Sequence, residues 1–402
     1  MKRLFKFTVG LAIAIAIPVE NEISAQDITI TVSKTAKDDA TEAAKKKPFK
    51  GKRPSVDVAI LLDTSNSMDG LISQAKSQLW NIVQQFADAK KNGQTPTLRV
   101  SVFEYGNSRL PASEDYIRQV VKLTDDMDKV SEALFALKTS GGDEYCGSVI
   151  KEAIKRLDWS SEPNAYKAIF IAGNERFTQG PVGYRKSCKK AIESGIVINT
   201  IHCGDYSTGV NGKWKHGAEM AEGEYMNINQ DQKLVHIEAP QDEIIIKLNA
   251  ELNKTYLWYG EKNVREGYSR NQVEQDNNAR KSGFGFFSRG LAKSGKAYGN
   301  RNRDLVDTMD EDESILDSVK PSSLPSEMQK MSQAGRIAHV KKMKDKRVEI
   351  QKKIVEASKS RADYIAGKRK EMASSDQSNT FGDVINSTIN EQLQASGFEV
   401  KK

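Results

Sequence analysis

The chain has 402 residues, enough for one sizeable hydrophobic core and a smaller appendage. Its 38% apolar fraction supports a globular part, while 29% charged residues point to a portion outside that core. The net charge of +7 is spread over many residues of both signs and is weak evidence for an anionic partner; three cysteines with no CxxC pair argue against a cysteine-based zinc site.

Residues 1–25 read as a secretory signal. Lys2, Arg3 and Lys6 precede the apolar run VGLAIAIAIP, about ten residues long and too short to span a bilayer. The small residues of ISA precede Gln26, which places cleavage after Ala25. The mature protein is therefore expected in the periplasm or outside the cell. Residues 26–53 are charged, Ala-rich and closed by Pro54, as in a flexible linker, with DITITVS alternating like a short edge strand.

From Ser55 the pattern changes. VDVAILL is a near-continuous apolar run, as in a strand covered on both faces. ISQAKSQLWNIVQQFADA places Ile72, Leu79, Ile82, Val83 and Phe86 at helical spacing. TLRVSVFEYG and IRQVVKL read as strands, MDKVSEALFAL and CGSVIKEAIKRL as helices. KAIFIAG is a buried strand, YRKSCKKAIESG a helix, IVINTIHCG and GEYMNIN strands, and QDEIIIKLNAELNKTYLWY a closing helix. This alternation predicts an α/β fold, a doubly wound and mainly parallel sheet with helices on both faces, over residues 54–260.

Residues 261–325 are polar, Gly-punctuated and then acidic, and read as an irregular and acidic connecting region, in which DTMDEDESILD lacks the EF-hand spacing and its central Gly and reads as a solvated helix rather than a calcium site. Residues 326–402 read as a basic helical region: the part from Ser326 to Met372 holds 14 Lys/Arg against six Asp/Glu and predicts one long helix or a helix pair. Its apolar positions Ile337, Val340, Met343, Ile350, Ile354 and Ile365 sustain no heptad, which argues against a long coiled coil. An exported protein gives no reason to expect a nucleic-acid partner. The basic helix either packs on the main domain with its charges in water or touches an anionic surface.

The stretch that carries chemistry is AILLDTSNSMDG, residues 59–70. In an open α/β sheet, ligands sit beyond the carboxyl ends of the strands, where Asp63 lies. A hard divalent cation takes oxygen ligands, and Asp63, Ser65 and Ser67 at alternate positions of one turn can converge on such an ion. The competing reading is an ordinary turn with Ser67 or Asp69 capping the next helix.

VDVAILLDTSNSMDG resembles the first motif of the von Willebrand factor type A domain, whose metal-ion-dependent adhesion site begins Asp-x-Ser-x-Ser. The resemblance extends over residues 54–260 in the order of strands and helices. It implies a site for Mg²⁺, or Mn²⁺ or Ca²⁺, that binds a carboxylate presented by a protein ligand. Two positions depart from the family pattern. Where such domains carry a Thr in a second loop, SGGDEYCG has Asp143, either a ligand or a helix cap. Where they carry an Asp at the end of the fourth strand, this chain has Gly173 and Asn174. Glu175 follows, as a solvated loop residue or a further neighbour of the site.

Among the cysteines, Cys188 early in a helix and Cys203 at a strand end both lie at the upper rim, so a Cys188–Cys203 disulfide is expected, narrowly ahead of Cys146–Cys203, with three free thiols as the alternative if the protein is not exported. His202, His216, His236 and His339 have no metal-ligand spacing, and no GxSxG, HExxH or phosphate-cradling motif occurs. The sequence thus reads as a non-enzymatic binding or adhesion protein. The alternatives are a metal-free scaffold with a degenerate site and a metal-assisted hydrolase, the latter without an evident general base.

Overall fold

The structure, a computed structural model, describes residues 53–229, 237–282, 285–372 and 381–400. The expected signal segment, most of the expected linker and the DITITVS strand lie outside the described residues.

Six strands form one sheet in the order β3-β2-β1-β4-β5-β6. They are β1 (Ser55–Asp63), β2 (Thr97–Tyr105), β3 (Ile117–Thr124), β4 (Tyr166–Gly173), β5 (Val197–Cys203) and β6 (Tyr225–Ile228). All neighbours are parallel except β3, which runs antiparallel to β2 at the edge with irregular register around Val102. β1 is flanked by β2 on one side and β4 on the other, so the connections reverse direction at β1/β4. That reversal opens a crevice at the carboxyl ends. The register pairs Asp63 with Tyr105 and Leu62 with Ala172, so Asp63 and Gly173 emerge side by side into it.

Alternation along β1 explains why the strand is apolar throughout. Val56, Val58, Ile60 and Leu62 face a core built on α1 (Asp69–Asp88) and α2 (Met127–Ala136), while Ala59 and Leu61 face a second core under α3 (Cys146–Arg156) and α4 (Tyr184–Glu193). Two short helices, α5 (Tyr206–Asn211) and α6 (Trp214–Glu219), cross between β5 and β6.

The C-terminal third is more regular than its composition suggests. After α7 (Gln241–Asn253), the stretch expected to be irregular folds into α8 (Lys262–Lys281) and α9 (Gly285–Ser294), and the acidic stretch is helical as expected, in two short helices, α10 (Leu305–Met309) and α11 (Ile315–Ser318). The basic region is one helix of 40 residues, α12 (Gln333–Met372), about 60 Å long, followed by α13 (Phe381–Ala395). Part of this region forms a small core of its own, in which Leu305, Val306, Leu316, Leu324, Met328 and Val340 pack with Leu257, and the rest joins the core of the sheet. Ala279, Phe286, Ala292, Ile350, Ile354, Ile385, Ile389 and Leu393 join the same apolar cluster as Leu79, Trp80 and Phe86 of α1. No helix among the described residues is long and apolar enough to cross a membrane.

Candidate functional site

β1 ends by carrying Asp63 into the crevice, where its side chain is fully buried. The turn then folds back: Asp63 Oδ1 accepts the Ser65 backbone N–H at 2.8 Å, and Ser65 Oγ and Ser67 Oγ lie 3.2 Å apart. The N-caps fall on neither Ser67 nor Asp69. A short 3₁₀ turn (Asn66–Met68) leads into α1, whose N-cap is Met68, and neither Ser65 nor Met68 makes a side-chain cap bond. Asp69 instead accepts the Thr139 hydroxyl at 2.5 Å, tying the first loop to the second. The two serine hydroxyls are left facing the crevice with Asp63.

The second loop supplies a carboxyl, but from the residue after the expected one. Asp143 is exposed, and its carboxylate accepts the Tyr145 hydroxyl at 3.1 Å. It is not the cap of α3 either, whose N-cap is Tyr145 without a side-chain bond. Glu144 is only 7% exposed and turns inward. Its backbone N–H donates to Gln179 Oε1 at 2.8 Å, which anchors the loop to the segment after β4. Gly106 sits between the two acids: a Cβ there would come 2.9 Å from Asp63 Oδ1 and 2.8 Å from Glu144 Cγ, and its φ of +76° suits only glycine without strain.

The charges of this cluster oppose one another. Burial pushes the Asp63 carboxyl up to about 7, against the backbone and hydroxyl of Ser65 and the backbone N–H of Asn174, which favour the carboxylate. Burial likewise raises Glu144 to about 7, and the nearby Asp63 and Glu175 add to the rise. The Ser65 hydroxyl favours the charged form of both acids, so it stands between them. Asp63 Oδ2 is buried and short of a full hydrogen bond.

The third loop explains the missing strand-four aspartate. A Cβ on Gly173 would come 2.5 Å from the Tyr105 hydroxyl and 3.2 Å from Asp63 Oδ2. Tyr105 fills that space and donates to the Ala172 carbonyl at 2.9 Å, so no side chain at position 173 fits. Asn174 follows, its Nδ2 donating to Ser67 Oγ at 3.0 Å, and its Oδ1 is buried without a partner. Glu175 is exposed, but its charge is felt by both buried acids.

The expected disulfide is not formed: Cys146, Cys188 and Cys203 are all free and buried. Alternation along β5 is the reason. Cys203 points into the core on the α1 side, while Cys188 of α4 packs in the core on the other face, with the sheet between them. Cys146 is also on the far face, and its thiol contacts the Tyr105 hydroxyl at 3.8 Å.

Residues 57–228 match the model of the von Willebrand factor type A domain, and on the sheet described above this part of the chain is such a domain. No curated protein matches the chain. Among solved structures, it is similar to proximal thread matrix protein 1 from the mussel byssus, at 17% identity over 45% of this chain and 43% of that one, with a TM-score of 0.34. That protein has also been solved with zinc in its metal-ion-dependent adhesion motif. BatB from Bacteroides thetaiotaomicron is 16% identical over 43% of this chain and 90% of its own, with a TM-score of 0.33. The von Willebrand domain of the pilus tip protein Mfa5 from Porphyromonas gingivalis is 12% identical over 44% and 90%, with a TM-score of 0.33. The chain therefore spans less than half of the mussel protein's length.

Proposed function

We propose that the protein is a non-enzymatic binding or adhesion protein of the periplasm or cell exterior. It engages a carboxylate on a partner protein through a divalent cation held by Asp63, Ser65, Ser67 and Glu144. The observation that carries this reading is the fully buried Asp63 carboxyl, with its Oδ2 short of a full hydrogen bond, beside the Ser65 and Ser67 hydroxyls. A buried carboxylate oxygen short of hydrogen bonds is costly unless something positive meets it. The donors are all oxygens, which suits Mg²⁺, Mn²⁺ or Ca²⁺. A cation would stabilise the charged forms of Asp63 and Glu144 together. Turning the Asn174 amide over would add its Oδ1 to the set. Few protein ligands leave coordination positions for a partner's carboxylate.

One observation favours a second reading, a metal-free scaffold: Asn174 Nδ2 already donates to Ser67 Oγ, and so satisfies part of the site internally. Calorimetry with Mg²⁺, Mn²⁺ and Ca²⁺ on the purified chain and on Asp63→Ala separates the two. Binding that is lost in a folded Asp63→Ala protein supports the cation site. No heat with any ion in the wild-type chain establishes the scaffold, and equal binding by both proteins places the ion elsewhere.

A further inference from the structure

The C-terminal helices pack on the α1 side of the sheet, and α3 and α4 lie on the other side with their outer surfaces in solvent. Between these two helices runs a groove of 760 Å³. Five exposed lysines line it: Lys151 and Lys155 from α3, and Lys186, Lys189 and Lys190 from α4. Glu193, the one acid in the lining, pairs with Lys190 at 3.3 Å. Lys155, Lys186 and Lys189 form no ion pair among the described residues. The lining also has apolar surface from Ile154, Pro181 and Val182, and Ile154 packs on the core beneath. The walls are fixed, because the buried Ser187 donates its hydroxyl to the Gly147 carbonyl at 2.7 Å and pins α4 to α3.

We propose that this groove binds an extended acidic segment of a partner protein that carries apolar side chains. Unneutralised lysines call for an anionic occupant. The concave shape rejects a flat lipid surface, and Ile154 and Val182 gain nothing from a polyanion that has no apolar groups. From Lys186 to Ser194 the wall extends about 12 Å, which four residues of extended chain cover. The groove is separate from the candidate cation site, and binding there needs no metal.

Fluorescence anisotropy of a labelled hexapeptide of four acidic residues and two leucines tests this on the full chain. The triple variant Lys155→Glu, Lys186→Glu, Lys189→Glu is expected to weaken binding by about tenfold or more. A control triple on α12, Lys341→Glu, Lys352→Glu, Lys359→Glu, carries the same charge change and is expected to stay within about twofold. A chelator is expected to change nothing. Three results would overturn the proposal: equal loss in the α12 control, undiminished binding when the leucines are replaced by serine or when polyphosphate is the probe, or no peptide binding by the wild-type chain.

Discussion

At the scale of single residues, the site divides into a part that the spacing reveals and a part that it hides. The alternate spacing of Asp63, Ser65 and Ser67 after a buried strand was legible as a cluster of oxygen donors, and the structure brings the three together at the crevice. Glu144 was hidden by its neighbour. In the irregular segment before α3, one step along the chain moves a side chain from solvent to the crevice, and no periodicity marks which of two adjacent acids turns inward. Glu144→Gln is expected to weaken Mn²⁺ binding by about tenfold or more, and Asp143→Ala to leave it within about twofold. Titration calorimetry of the two variants decides between them, and the reverse order would return the role to Asp143. The disulfide expectation failed for a similar reason, since rim position is set by chain order but the face is set by strand alternation. Burial raises all three thiols, Cys188 to about 12. The native chain should therefore resist iodoacetamide, and all three cysteines should alkylate after unfolding without reductant. Recovery of fewer than three labelled thiols by mass spectrometry would contradict the free-thiol structure.

At the scale of elements, the segment that misled sequence reading is the most polar helix, α8. It buries Gln272, Gln275 and Asp276 where an amphipathic helix would bury leucines, so the apolar periodicity that signals a helix is missing. The reason is a charged network at its contact with α9 and α2. Fully buried Arg289 donates to Asp276 Oδ1 at 2.5 Å and to Asp128 Oδ1 at 2.7 Å, and its guanidinium lies 4.4 Å from the centre of the Trp80 ring. Lys293 Nζ lies 3.3 Å from Asp276 Oδ1. Removing one partner strands the others without solvent, so Arg289→Ala is expected to cost about 3–5 kcal/mol in urea unfolding. A loss below about 1 kcal/mol would mean the network is not closed to water. Burial lowers the Lys293 amine to about 8, against the charge of Asp276. Its folded value is below its unfolded one, so the unfolded chain binds more protons between them, and stability from this group rises as pH goes from about 8 towards 10.5. Lys293→Met should flatten the rise in unfolding free energy over that window, and parallel pH profiles for variant and wild type would refute the assignment.

At the scale of the whole molecule, the order of strands and helices was enough to predict the doubly wound sheet, because buried parallel strands and amphipathic helices announce themselves locally. How the C-terminal third attaches was not legible, because it depends on which outer face of α1 is apolar. That face is covered by α9 and α13 through Trp80, Val83 and Phe86, with Phe286, Ala292, Ile389 and Leu393 completing the same cluster. Gln392 of α13 reaches further under the sheet, donating to Asn199 Oδ1 at 2.7 Å and accepting from the Tyr166 hydroxyl at 2.6 Å. The arrangement puts α8, α9, α13 and the middle of α12 into the cluster that covers α1, while α10, α11 and the start of α12 pack in a smaller cluster with Leu257. Each large side chain moved from core to water costs about 1.5–3 kcal/mol, and a domain's whole margin is about 5–15 kcal/mol. Truncation after residue 260 would expose several such side chains at once and orphan Asp128 of the buried network. A chain ending there is expected to be insoluble or to lack a cooperative transition, whereas the full chain should unfold in one step whether followed by far-ultraviolet circular dichroism or by tryptophan fluorescence. A truncated protein that melts cooperatively at the temperature of the full chain would show that the helices merely rest on the sheet.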